Sequence, residues 1–162
     1  MISINIEHPE IGPQINDLLQ HAFGNKRNTL PSMKFRRGSR AIPNLCFVAM
    51  DSGRLVGVIR FTKIVAGSEK AAILLGPIAV HGDYRGLNIG SSLMKHGLGA
   101  SKDSGYKLVI AIGDPGFLGR FGFVPAIAGG LSFPVLVDQN RFLMRELELG
   151  SSKNVNGNIK LA

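Results

Sequence analysis

Residues 76–90, GPIAVHGDYRGLNIG, combine an apolar segment, a turn with several glycines and the start of a helical segment. A strand that enters a helix through such a turn presents backbone N–H groups beside the positive end of the helix dipole. This arrangement suits a pyrophosphate group. The segment therefore predicts a phosphate-binding loop.

A second glycine-rich segment covers residues 113–126, GDPGFLGRFGFVPA. Asp114 is a typical helix N-cap, and Pro115 suits the first helical position. We expect a short helix that runs to Phe121 and ends at Gly122. The segment thus predicts a capped helical turn after a buried strand.

The elements that position these two segments follow from hydrophobic spacing. Ile2, Ile4 and Ile6 alternate with polar residues, which predicts a first strand. Helical spacing predicts helices over residues 11–23 and 87–101, which end at Gly24 and Gly105. Apolar runs predict further strands over residues 45–50, 55–64, 71–80, 107–112, 123–125 and 141–149, the last of the chain.

Two features organise these strands into a sheet. The turn-forming residues 51–54 lie between two of them and predict an antiparallel hairpin. Strand 71–80 is nearly all apolar, as a buried central strand would be, but Pro77 has no N–H to donate, so we expect a bulge at Gly76-Pro77. The order of elements indicates an α/β fold of the α+β type, with a mixed, mostly antiparallel central sheet flanked by helices.

Length and composition favour one globular domain, expected over residues 1–149, followed by a polar C-terminal tail over residues 150–162. The 162 residues are 44% apolar and 19% charged, which suits a chain with a real core. The N-terminus has no basic leader, and no run of about 18 apolar residues predicts a membrane span. We therefore expect a cytoplasmic protein without a membrane partner.

The charge of the chain points to an anionic partner without identifying it. Nineteen Lys and Arg against eleven Asp and Glu give a formal net charge of +8. Residues 25–40 form a basic segment, which we interpret as a short helix and a loop with a solvated face. Nucleic-acid binding through this segment ranks last, because Phe35 is its only aromatic residue.

The metal-binding and redox-active residue types are sparse. Cys46 is the only cysteine, which excludes an intramolecular disulfide, and its apolar neighbours predict a core position. The four histidines are scattered without ligand spacing, so we expect no metal. His81 ends the strand before the loop, where a proton relay is one interpretation and a turn or surface histidine is the commoner one.

Both glycine-rich segments resemble motifs of one family. Residues 85–90, RGLNIG, resemble the signature R/Q-x-x-G-x-G/A of the GNAT superfamily of acyl-CoA-dependent N-acetyltransferases. Residues 113–126 resemble the run G-D-P-x-(Y/F)-Y-x-R-F-G-F-x-P-A of a bacterial branch. The resemblance implies a sheet splayed at its two central strands, acetyl-CoA or another acyl-CoA as cosubstrate, and no metal. The interruption at Gly76-Pro77 fits the splay, where the thioester would enter.

Carried over to this sequence, the resemblance implies a set of CoA-binding residues. Backbone N–H groups of the loop would wrap the pyrophosphate, Ser91 would contribute from the first helical turn, and the strand edge before the loop would bind the pantetheine amides. The implied residues are Ile78, Ala79, Val80, Arg85, Gly86, Leu87, Asn88, Ile89, Gly90 and Ser91.

Two positions depart from the family pattern. Asn88 replaces a glycine, and Asn tolerates the left-handed backbone that the turn needs. Leu118 stands where many relatives have the tyrosine that protonates the leaving thiolate, so activity is expected to be weak. Asp114 lies nearby in sequence and is a candidate for catalysis, although its sequence context favours a helix cap.

The resemblance implies an N-acyltransferase that moves an acetyl or other acyl group from acyl-CoA to a primary amine by direct attack in a ternary complex. The alternative is a catalytically weakened CoA-binding protein that acts as a sensor or interaction partner. This alternative is based on Leu118, which replaces the tyrosine that would protonate the thiolate. The sequence does not identify the amine. Homodimers are common among relatives, so a homodimer is an expectation of the resemblance.

Overall fold

The computed structural model describes the backbone of residues 1–162 and every side chain except that of Asn28. Its helices are α1 (Gly12–Phe23), α2 (Pro31–Arg36), α3 (Ile89–Asp103) and α4 (Pro115–Gly119). Its strands are β1 (Ile2–Ile6), β2 (Phe47–Asp51), β3 (Arg54–Ala66), β4 (Glu69–Val80), β5 (Leu108–Ile112), β6 (Val124–Pro125), β7 (Leu131–Ser132), β8 (Phe142–Glu146) and β9 (Gly157–Leu161).

The strands form a mixed sheet in the order β1-β2-β3-β4-β5-β8-β6, with β9 added beside β3 and β7 beside β9. Neighbouring strands are antiparallel except in the pairs β4 with β5 and β7 with β9. The parallel pair β4 and β5 is short, because only Ala72–Leu74 and Leu108–Ile110 are in register. Beyond that point the two strands separate, so the predicted α+β fold and its splayed sheet are confirmed.

A bulge in β4 lies where the strands begin to separate. Ile78 pairs with Ile59 and Leu75 pairs with Phe61, so Gly76 and Pro77 oppose the single residue Arg60. The Gly76–Pro77 peptide bond is cis. The bulge that the sequence predicts at Gly76-Pro77 is therefore confirmed.

Helices cover both faces of the sheet, as the alternation of its strands requires. On β2, Phe47 and Ala49 belong to the core on the α3 side, whereas Val48 belongs to the core beneath α1. Gly97 lets α3 approach closely, because a Cβ at this position would lie 2.7 Å from Cε1 of Phe61. The core thus fixes α3 on the sheet, and the N-terminus of α3 follows the end of β4.

The predicted hairpin and first strand are confirmed as β2–β3 and β1. The predicted helices have shifted ends, since α3 starts at Ile89 rather than Leu87 and α4 ends at Gly119 rather than Phe121. Of the helices described, none combines the length and the apolar character that a membrane span requires.

The C-terminal segment corrects the expectation of a polar tail over residues 150–162. β9 pairs with β3 through Ile64–Ala66, and its Ile159 is fully buried in the core. Asn158 and Val155 also accept backbone hydrogen bonds from Gly67 and Ser68, in the turn between β3 and β4. Strand 141–149 is therefore not the last one, and the Asn- and Gly-rich segment closes an edge of the sheet.

Candidate functional site

The turn between β4 and α3 forms a cradle of free N–H groups. Gly86 has a φ of 81°, and Asn88 adopts the left-handed conformation with φ 60° and ψ 22°. The first hydrogen bond of α3 runs from Ser92 N to Asn88 O at 3.0 Å. The three preceding N–H groups, from Ile89 to Ser91, consequently have no helical acceptor and are available to an anion.

Two arginines flank this cradle. Arg85 and Arg120 line a concavity that also includes Gly86, Gly90 and Ser91. Nη2 of Arg120 donates to Oγ of Ser91 at 3.3 Å, and its guanidinium lies over the ring of Phe117 at 5.2 Å. We name the backbone of residues 85–91 together with the Arg120 side chain the phosphate cradle. The sequence analysis assigned no role to Arg120, although its position in the second motif indicated that it could lie at the site.

His81 and Tyr84 hold the turn that precedes the cradle. Nδ1 of His81 accepts from the backbone N–H of Asp83 at 3.1 Å, and its Nε2 lies 3.2 Å from Nη2 of Arg54. The Tyr84 hydroxyl donates to Oδ2 of Asp51 at 2.7 Å, and this bond lowers the pKa of Asp51 while it raises the pKa of Tyr84. Both ring nitrogens of His81 are thus engaged, Nδ1 within the turn and Nε2 with Arg54 of β3, which fits the commoner interpretation of a turn histidine.

The last residues of β4 present an open backbone edge. His81 N donates to Val56 O on β3, so by alternation Ala79 also faces β3, whereas Ile78 and Val80 face the gap left by β5. Of the three strand residues carried over from the resemblance, two therefore have N–H and C=O groups on the open side. Ile89 is 3% exposed and packs in the core, so it can contribute to the cradle only through its backbone.

A cavity of about 360 Å³ lies where β4 and β5 separate. We name it the splay cavity. Its walls come from α2, the bulge of β4, the end of β5 and α4, and they are mostly apolar. The lining residues are Phe23, Leu30, Pro31, Ser32, Met33, Arg36, Leu75, Gly76, Pro77, Ile78, Ala111, Ile112, Gly113, Asp114, Phe117, Leu118, Asp138 and Arg141.

The two candidates for catalysis line this cavity without an evident proton-transfer role. Asp114 caps α4, since its Oδ1 accepts from Gly116 N at 3.1 Å and its Oδ2 from Phe117 N at 3.2 Å. Leu118 is 4% exposed and packs within the core cluster on the α3 side. The structure therefore places an apolar side chain at the position that the resemblance links with a thiolate-protonating tyrosine.

Arg36 is a functional candidate that sequence reasoning missed, because the basic segment was interpreted as a solvated face. Its Nη1 is buried without a hydrogen-bond partner among the described residues, and its Nη2 donates to Sδ of Met33 at 2.9 Å. Burial, with a smaller contribution from the charge of Arg60, lowers the pKa of Arg36 from its usual value to about 10. The segment is thus basic on its surface but sends one guanidinium into the splay cavity.

Comparison with known proteins now identifies the family. A family model described as an acetyltransferase (GNAT) domain matches residues 9–126. The chain belongs to the GNAT family. An uncharacterized N-acetyltransferase, YhbS of Escherichia coli strain K12, is 30% identical over 122 residues, which cover 74% of this chain and 72% of YhbS.

Solved structures show the same GNAT fold. The crystal structure of Escherichia coli YhbS in complex with CoA gives a TM-score of 0.86 at 25% identity and covers 99% of this chain and 89% of that one. A GNAT acetyltransferase from Brucella melitensis, solved with acetyl-CoA, gives 0.65 at 26% identity over 76% of this chain and 83% of its own. The residues that the GNAT family model matches include both the phosphate cradle and α4. Among the described residues, no group of three His, Cys, Asp or Glu side chains is placed to hold a metal ion.

Proposed function

We propose that this GNAT acetyltransferase transfers an acetyl group from acetyl-CoA to a primary amine by direct attack in a ternary complex. The observation that supports the proposal is the continuity of the phosphate cradle, the open edge of β4 and the splay cavity. The cradle and the cavity share the lining residue Phe117, and the open edge connects them through Ile78 and Val80.

The residues of the cradle fit a pyrophosphate. Free N–H groups at the start of α3 and the guanidiniums of Arg85 and Arg120 converge on one concavity. A hydrogen bond to a charged group contributes about 1.5–3 kcal/mol, so several of them support useful affinity for a phosphate. The CoA complex of the relative YhbS supports the same ligand for this chain.

The open edge of β4 fits the rest of the cosubstrate. The backbone groups of Ile78 and Val80 can bond the amides of an extended pantetheine arm as a neighbouring strand would. The N–H group of Ile78 is the open-side donor closest along the chain to the bulge, where it can stabilise the negative charge that develops on the thioester carbonyl oxygen. The apolar splay cavity excludes water from this point.

The reaction joins the amine nitrogen to the acyl carbon and breaks the carbon–sulfur bond. The attacking amine is neutral, loses a proton as the amide forms, and the thiolate of CoA leaves. We assign no side chain as the acid, because Leu118 is buried and apolar and the Asp114 carboxylate caps α4. Water that reaches the exposed rim of the cavity supplies and accepts the protons, and no covalent enzyme intermediate is needed.

Titration calorimetry with acetyl-CoA tests the binding half of the proposal, and release of free thiol with a panel of amines tests the transfer half. Cys46 will not disturb the thiol assay, because its side chain is buried and burial raises the pKa of its thiol to about 11. Binding with thiol release on at least one amine is the expected result. Binding without release on any amine favours a weakened CoA-binding sensor, and absence of binding removes the basis of both functions.

A further inference from the structure

We propose that the acceptor amine carries a carboxylate, which binds the guanidinium of Arg36 inside the splay cavity. This proposal rests on the transferase function proposed above and names the class of its second substrate. It assigns a specificity role to Arg36, a residue outside both glycine-rich segments.

The position of the guanidinium is the first observation. α2 docks through Phe35, whose ring lies 4.9 Å from that of Phe133, and the next residue turns into the splay cavity. Nη1 of Arg36 lies 2.7 Å from the point that a Cβ on Gly76 would occupy. The guanidinium therefore rests against the bulge of β4, one residue before Pro77 and beside the open edge.

The absence of a counter-charge among the described residues is the second observation. Glu7 is paired with Arg60 through two hydrogen bonds of 2.9 and 2.7 Å, and no described ion pair joins a carboxylate to Arg36. Asp114 and Asp138 line the cavity, but both are exposed caps of short helices and neither forms a described ion pair with Arg36. A buried charge without a partner is unfavourable in the protein alone, so a ligand that supplies an anion gains the interaction.

The shape of the site selects the class of anion. A planar guanidinium pairs with a carboxylate through parallel hydrogen bonds, and Nη1 of Arg36 is buried with no hydrogen-bond partner among the described residues. Ile78 lies only two residues beyond Gly76, so one short molecule can place its carboxylate at the guanidinium and its amine near Ile78. Apolar walls from Leu30, Met33 and Leu75 favour an apolar body. An amino acid with an apolar side chain combines these features.

A binding experiment without turnover tests the proposal directly. We would titrate 3-phenylpropionate and its neutral analogue 3-phenylpropanamide into the full chain, with and without CoA. The carboxylate should bind at least about tenfold more tightly than the amide, and Arg36→Met should abolish that preference. Equal binding of the two probes to the unmodified protein, or an unchanged preference in Arg36→Met, would overturn the proposal.

A kinetic experiment extends the test to substrates. Phenylalanine and phenethylamine differ only in the carboxylate, and the Arg36→Met variant should raise the KM for phenylalanine at least tenfold while the KM values for phenethylamine and acetyl-CoA stay within twofold. Arg40→Met, an exposed change in the same basic segment, is the matched control and should leave all three values unchanged. Faster turnover of phenethylamine than of phenylalanine by the unmodified enzyme would contradict the proposal that the acceptor carries a carboxylate, but it would leave the transferase function intact. Absence of thiol release with every amine contradicts the transferase function, and the probe titration still decides the role of Arg36.

Discussion

The phosphate cradle and the splay cavity lie at the two ends of the open edge of β4, but they are built from different parts of the chain. The cradle is formed largely by backbone N–H groups of consecutive residues at the start of α3. The cavity is formed by side chains from α2, β4, β5 and α4, which are far apart in sequence. The cradle therefore depends on local backbone conformation, whereas the cavity depends on how distant elements pack.

This difference separates what the two regions can recognise. Backbone donors bind a phosphate group whatever molecule carries it. The cradle is therefore suited to the cosubstrate and does not distinguish between acceptors. A cavity that contains a buried, unpaired guanidinium as well as exposed charged groups at its rim can discriminate among acceptors through the buried side chain. We expect side-chain changes to alter acceptor choice at the cavity, and to matter at the cradle where they remove Arg85 or Arg120 or where they block or repel the phosphate.

The largest effect is expected from Gly90→Asp in the cradle. A Cβ here would lie 3.7 Å from Cζ of Phe117, an ordinary contact, so the fold accommodates it. The new carboxylate suits the N-terminus of a helix but repels the pyrophosphate, and we expect acetyl-CoA affinity to fall about a hundredfold, equivalent to about 2.7 kcal/mol. Calorimetry measures the affinity, and thermal unfolding checks the fold.

Gly99→Asp is the matched control for this substitution, because it makes the same change in charge at an exposed position of the same helix. It should leave acetyl-CoA affinity within about twofold. If Gly90→Asp bound acetyl-CoA as well as Gly99→Asp does, the cradle would not be the phosphate site.

The second effect concerns stability at the cavity. Replacement of a buried charge by an apolar side chain of similar volume often stabilises a protein, so Arg36→Met should raise the free energy of unfolding by about 1–3 kcal/mol near neutral pH. The pKa of Arg36 is lowered to about 10 in the folded state, so between about pH 10 and the ordinary pKa of arginine the unfolded chain binds a proton that the folded chain has lost. Stability of the unmodified protein therefore rises through that window, and the advantage of the variant should shrink there.

Chemical denaturation at pH 8 and pH 10.5 measures this difference, with Arg40→Met as the exposed control. A loss of stability in Arg36→Met at pH 8 would mean that the guanidinium supports the fold. Such a result would remove the reason to expect an anionic partner in the cavity.

The third effect separates a weak enzyme from a binding protein. Leu118→Tyr places a hydroxyl at the position of the missing acid, and general acid catalysis contributes about 10² to 10⁴ in rate where geometry is good. Because Leu118 is buried, the ring will also disturb packing by about 1–3 kcal/mol. We expect thiol release with a fixed amine to rise at least about tenfold relative to Leu118→Phe, which adds the ring without the hydroxyl. Equal rates in the two variants would show that this position no longer serves proton transfer.

The contrast between the two regions also explains what the sequence could predict. Local rules identified the bulge at Gly76-Pro77 and the Asp114 cap, because each depends on a residue and its immediate neighbours, whereas the left-handed Asn88 followed from the motif in which it replaces a glycine. The burial of Arg36 depends on the docking of α2 through Phe35 against Phe133, which no charge pattern reports. The apolar residues within the basic segment, Leu30, Met33 and Phe35, were a signal that this segment docks.

The C-terminal strand was missed for a related reason. Its Asn- and Gly-rich sequence is typical of a loop, and β9 exists because Ile64–Ala66 of β3 offer it a free edge. Partners distant in sequence therefore determined the two largest corrections. Arg120 belongs to the same group, because its contact with Ser91 brings α4 to the start of α3.

The smallest effect is expected from Asn88, and it bears on whether the cradle is built from backbone. The Asn88 side chain makes no capping hydrogen bond, and its φ of 60° suits glycine better than any other residue. Asn88→Gly should therefore change stability by no more than about 0.5 kcal/mol, because relief of the left-handed conformation is offset by greater freedom of the unfolded chain. Asn88→Ala should lose about 1 kcal/mol, since Ala tolerates this conformation poorly. Calorimetry should find acetyl-CoA affinity within about twofold for Asn88→Gly, because the N–H groups stay in place. A tenfold loss in that variant would instead show that the amide side chain itself binds a phosphate.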